Sequence, residues 1–263
     1  MLRPLVPAFA LLTFGLVAPA QAGLINTFDN PGDVVLSPTQ SPGTWYTDRY
    51  APAGFAAGQS GGGRTGVLAL TLSAADGGTS RPSSFSSAFY NTQGRKFDLA
   101  SGTTSLFIDL YVPAAGTAGG RYAGLWATAT SGSGPLQFPI LEAANGGFQV
   151  WDPVNGGFTT IPGISGTDRW YEIGFDYANG QYNFYIDGQL VKSFANGTPV
   201  TFSNVILQGY NTDAGVNRTV NFDGLSTTSS VPEPATVVTV GILAGALGLR
   251  LVARRKRGEP VAA

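Results

Sequence analysis

Apolar and polar side chains alternate at every second position in one short run after another, a pattern that suits strands and very little else. Leu68, Leu70 and Leu72 share one strand face, as do Leu106, Ile108, Leu110 and Val112 before the stop at Pro113. Phe148 and Val150 repeat the pattern, followed by Tyr171, Ile173, Phe175 and Tyr177, then Tyr182, Phe184 and Ile186. No segment between Gly23 and Ser230 carries a convincing amphipathic-helix period. Two turns punctuate the clearest stretch, Asn179-Gly180 and Asp187-Gly188. Both pairs tolerate the positive φ of a tight hairpin turn. A chain of short half-apolar strands buries its apolar faces by stacking two sheets, so the expectation is an all-β antiparallel sandwich.

Such a core has to hold without cross-links, because the chain contains no cysteine. It also contains no histidine, which excludes Ser-His-Asp catalysis, His-ligated metals and a histidine pH switch. The net charge of −1 gives no basic surface, and no nucleic-acid partner is expected. The Gly61-Gly62-Gly63-Arg64 loop lacks the strand–loop–helix setting of a phosphate cradle, and Asn196-Gly197-Thr198 and Asn217-Arg218-Thr219 read as turns.

The two ends read as addresses. Residues 1–22 have the layout of a secretory signal peptide: Arg3, an apolar run from Leu5 to Val17, and a small-x-small site, Ala20-Gln21-Ala22, that places cleavage between Ala22 and Gly23. Residues 226–234 form a Ser/Thr linker ending in Pro232-Glu233-Pro234. An apolar stretch, 235–253, follows, interrupted only by Arg250, and a basic tail, 254–263, opens with Arg254-Arg255-Lys256-Arg257. As a helix, 235–253 would be about 28 Å long, close to a hydrocarbon core of about 30 Å. The basic cluster would keep that end cytoplasmic, leaving the preceding domain outside. This order of parts resembles the PEP-CTERM sorting signal. The resemblance implies recognition by an exosortase-type membrane protease, tail processing, and delivery to the cell surface or an extracellular polysaccharide matrix.

Residues 23–225 form the remaining domain. Its stretch RWYEIGFDYANGQYNFYIDGQLVKSF resembles the core of laminin-G-like, concanavalin A-like domains, matching at Trp170, Tyr171, Tyr185, Asp187 and Gly188. The resemblance implies a jelly-roll sandwich, and some members of that superfamily are glycoside hydrolases. Hydrolysis calls for two carboxylates about 5–9 Å apart. The domain holds only Glu142 and Glu172 as glutamates, thirty residues apart, and Asp109 and Asp176 read as isolated on their strands. The expectation is therefore a domain without catalysis that binds carbohydrate or acts as a scaffold, the alternatives being a polysaccharide-active hydrolase or lyase and a purely structural matrix protein.

Among metals, only calcium suits the hard oxygen ligands on offer, and Asp29 and Asp223, near the first and last strands, are its candidate ligands. Carbohydrate recognition needs flat aromatic platforms beside polar groups. Trp151, Trp45, Tyr46 and Tyr210 adjoin polar loops and are the candidate platforms, whereas Trp126 and Trp170 read as core.

Overall fold

The computed structural model describes residues 23–229, apart from 115–119, 133, 135, 163–165 and 213. Residues 1–22, read as a signal peptide, the Pro232-Glu233-Pro234 motif, the apolar stretch and the basic tail lie outside the described residues. Among the described residues no helix is long and apolar enough to cross a membrane.

The alternating runs become strands of two antiparallel sheets. One contains β1 (Leu24–Asn26), β3 (Gly54–Gly61), β4 (Arg64–Leu72), β6 (Ser105–Val112), β11 (Arg169–Ala178), β12 (Gln181–Ile186), β13 (Gln189–Ala195) and β15 (Arg218–Ser226). Its order is β13-β12-β11-β6-β15-β4-β3, with β1 beside β15. The other contains β2 (Trp45–Tyr46), β5 (Thr92–Asp98), β7 (Arg121–Thr130), β8 (Ile140–Ala144), β9 (Gly147–Trp151), β10 (Phe158–Ile161) and β14 (Thr201–Tyr210), in the order β10-β9-β8-β7-β14-β5-β2. Neighbours distant in sequence, such as β4 with β15 and β5 with β14, give the sandwich its jelly-roll connectivity.

The hairpin between β12 and β13 turns at Asp187 and Gly188, whose φ values are 49° and 72°. Asn179 and Gly180, at 52° and 76°, turn β11 into β12. Both pairs have positive φ at both central residues, the hairpin geometry that follows the right-handed twist of the strands.

Phe175 and Tyr182 from the eight-stranded sheet meet Phe202 from the seven-stranded sheet in the core. The rings of Phe175 and Phe202 lie edge to face at 5.4 Å, and Phe148 closes on Tyr171 at 4.9 Å. At the other end Trp45 packs against Phe28, Phe55 and Phe97. These contacts across the sandwich take the place of cross-links. Phe175→Ala should therefore cost about 3–5 kcal/mol. Guanidinium titration should show a lower midpoint with an unchanged slope.

Candidate functional site

With one side of each strand committed to the core, the other side is arranged in register rows. On the outer face of the seven-stranded sheet one row crosses every strand: Tyr46, Lys96, Ile206, Trp126, Ile140, Trp151 and Phe158. Ile140 and Ile206 are 4% and 1% exposed although they stand outside the inter-sheet core. They form the floor of a groove of about 340 Å³, walled by Phe89, Phe138, Trp126, Trp151 and Phe158, with Asp48, Arg49, Lys96 and Arg121 at its polar edge. An apolar concavity with a few converging polar groups is the usual form of a small-ligand site.

The next row is polar: Gly94, Gln208, Gly124, Glu142, Gln149 and Thr160. Glu142 is fully buried, yet both its oxygens are satisfied. Arg121 donates to it in a bidentate pair, Nε to Oε1 at 2.6 Å and Nη2 to Oε2 at 2.9 Å. Gln149 donates to Oε1 at 2.5 Å and Gln208 to Oε2 at 3.0 Å. Gly124 makes room for this cluster, since a Cβ there would lie 2.5 Å from that of Glu142. Glu142 fixes Arg121, whose guanidinium also covers the rings of Tyr210 and Phe158 at 4.6 and 5.0 Å.

At the opposite edge Asp48 pairs with Lys96 at 2.6 Å and with Arg49 at 3.0 Å. Burial alone would raise the Asp48 carboxyl, but Arg49 and Lys96 outweigh it and hold it below the usual value. The Arg49 guanidinium lies between the rings of Phe89 and Trp126, at 5.2 and 5.0 Å. Burial lowers its pKa and Asp48 opposes the shift.

The outer face of the eight-stranded sheet is acidic. Asp223, Asp109 and Glu172 are direct cross-strand partners on β15, β6 and β11. Arg64 Nη1 bridges Asp109 at 2.6 Å and Asp223 at 2.9 Å, and its guanidinium stacks 4.2 Å from the Trp170 ring. Burial raises the Asp109 carboxyl, Arg64 opposes this, and Glu172 and Asp187 push it further up. Asp223 is raised in the same way, by burial first, against Arg64, with Asp109 adding to it. The segment that leaves β15 lies over this face, with Ser229 donating to Glu172.

The residues singled out from sequence thus go to different places. Trp151 lines the groove, and Tyr210 lies beneath Arg121 on the same face. Trp45 is 1% exposed and offers no ring face to a ligand, because its strand register turns it into the core. Tyr46 closes the aromatic row at its β2 end, buried, with its hydroxyl donating to Asp98 at 2.6 Å. Burial, then Asp98, raise its pKa. Trp126 and Trp170, read as core, both point outward, one into the groove and one onto Arg64. Asp29 abuts Gly66, whereas Asp223 is engaged by Arg64. Among the described residues no group of three or more acidic side chains is placed to hold a metal ion. Sequence reading placed Asp48 and Arg49 only as polar neighbours of Trp45-Tyr46 and missed Lys96 and Arg121. Their only signal was a cation at a strand end or beside an aromatic pair, too common to single out.

No protein-family model matches the chain, and no curated protein matches it. Among solved structures, an endo-β-galactosidase from Clostridium perfringens that releases GlcNAcα1-4Gal is similar, with a TM-score of 0.53 at 14% identity, over 83% of this chain and 64% of that one. A Bacillus licheniformis β-glucanase has a TM-score of 0.41 at 13% identity, over 61% of this chain and 77% of that one. The expectation of a domain without catalysis is not upheld, since the similar fold with a TM-score above 0.5 is that of a glycosidase. One premise of that expectation also fails, because Asp109 is not isolated: strand pairing sets it opposite Glu172.

Two outcomes follow. Glu142→Ala would leave the Arg121 guanidinium without its carboxylate and should cost about 3 kcal/mol, read by chemical denaturation. For Asp109 the folded pKa lies above the unfolded one, so the folded state binds the proton more tightly and stability falls as pH rises through that window. Asp109→Asn should melt higher than the parent at about pH 7, and the advantage should vanish below about pH 3, where the aspartate is largely protonated in both states.

Proposed function

We propose that this protein acts on polysaccharide, with the sugar chain lying along the groove on the outer face of the seven-stranded sheet. The observation that carries this reading is the single register row joining Trp126, Trp151 and Phe158 across neighbouring strands, beside the polar row centred on Glu142. Flat rings take the C–H faces of sugars, and the fixed amides and charges alongside orient hydroxyls. The reaction proposed is hydrolysis, as in the endo-β-galactosidase of similar fold. Water adds across a glycosidic C–O bond, its hydroxyl going to the anomeric carbon and its proton to the departing oxygen. Asp48 is the partly exposed carboxylate at the groove, and its two cations keep it ionised, as an attacking or charge-stabilising group requires.

The raised carboxyl of Asp109, with Glu172 on the adjacent strand, favours a second placement of the same reaction, on the outer face of the eight-stranded sheet. The proximity of the two acids and a raised pKa match what a carboxylate pair needs.

The reading includes export and C-terminal sorting by an exosortase-type membrane protease, supported by the order of signal peptide, Pro232-Glu233-Pro234, apolar stretch and basic cluster in the sequence. That route would bring the domain to polysaccharide at the cell surface.

The test is a polysaccharide panel scored for retention and for new reducing ends. Trp151→Ala should weaken retention at least tenfold, about 1.4 kcal/mol. Asp48→Asn should abolish release while retention persists. Release lost in Asp109→Asn but kept in Asp48→Asn assigns the chemistry to the opposite face. Retention without release from the parent chain rules out hydrolysis.

A further inference from the structure

We infer that the groove on the seven-stranded sheet takes an acidic saccharide, one bearing carboxylates of the uronic-acid type. This inference rests on the reading of that groove as the sugar site. Three cations stand at the groove, Arg49, Lys96 and Arg121. Glu142 neutralises Arg121 from below, and Asp48 is shared between Arg49 and Lys96, so one positive charge is left over.

The unpaired donors belong to the same place. Arg49 is 5% exposed, and its Nη1 is buried with no hydrogen-bond partner among the described residues. The indole Nε1 of Trp126, whose ring lies 5.0 Å from that guanidinium, is also buried and unpartnered. A buried donor without an acceptor calls for an explanation, and here two of them meet at one ring contact beside a surplus positive charge. A carboxylate carries two acceptor oxygens and a full negative charge, which answers both donors and the surplus charge together. A neutral sugar hydroxyl answers a donor but not the charge. Phe89, half exposed and lying over the Arg49 guanidinium, is the ring that an incoming carboxylate displaces.

The experiment uses the full chain and calorimetric titration with two probes of one backbone, an oligogalacturonate and its methyl ester, plus a neutral glucan oligomer. The oligogalacturonate should bind at least tenfold tighter than the ester, and the margin should shrink as salt is raised. Arg49→Gln should erase the margin, whereas Asp48→Asn, which removes a competing carboxylate, should widen it. If Arg49→Gln does not fold, the comparison of acid and ester on the parent chain decides alone. Equal affinity for acid and ester overturns the acidic preference and leaves the sugar groove standing, as does binding of the glucan alone. No binding of any of the three overturns both readings.

Discussion

Every strand in this sandwich has two sides, and burying one in a common core lines up the other with its neighbours. Leu125, Leu141 and Val150 go inward, so Trp126, Ile140 and Trp151 must stand side by side outward. The sheet register that seals the core is therefore the register that assembles the groove. A one-residue slip of β8 would exchange Leu141 for Ile140 in the core and turn Glu142 inward, out of reach of Arg121. Stability and site share one constraint.

The two outer faces handle charge differently. On the seven-stranded sheet the single fully buried acid, Glu142, is neutralised by a bidentate arginine and two amides. Around it the aromatic row excludes water, which strengthens the remaining polar contacts. On the eight-stranded sheet Asp223, Asp109 and Glu172 stand in a row, with Arg64 bridging the first two. Burial first raises the carboxyls of Asp109 and Asp223, and like charges directly opposite each other on adjacent strands add to it.

The arginines act at both faces through their planes as much as their charges. Arg49 lies between Phe89 and Trp126, Arg64 over Trp170, and Arg121 over Tyr210 and Phe158. Each guanidinium presents its edge to a carboxylate and its face to a ring, a combination that a lysine ammonium does not offer. This pins the aromatic side chains on both outer faces.

The sequence by itself determined the strands, because period-2 alternation is local: the faces of Leu68, Leu106, Tyr171 and Tyr182 follow from their neighbours, and Asp187-Gly188 follows from its tolerance of positive φ. It also suggested Trp151, which adjoins a polar loop. Which strands pair was decided only by the tertiary structure. Asp109 reads as isolated in the sequence because Glu172 and Asp223 lie on strands far along the chain, and Trp126 reads as core because alternation marks two faces without saying which is inside. Trp45 and Trp151 both adjoin polar loops in the sequence, yet register sends one into the core and the other into the groove. The physical reason is the same throughout: a strand's own pattern fixes its geometry, but long-range pairing chooses the neighbours of each side chain and thereby its chemistry.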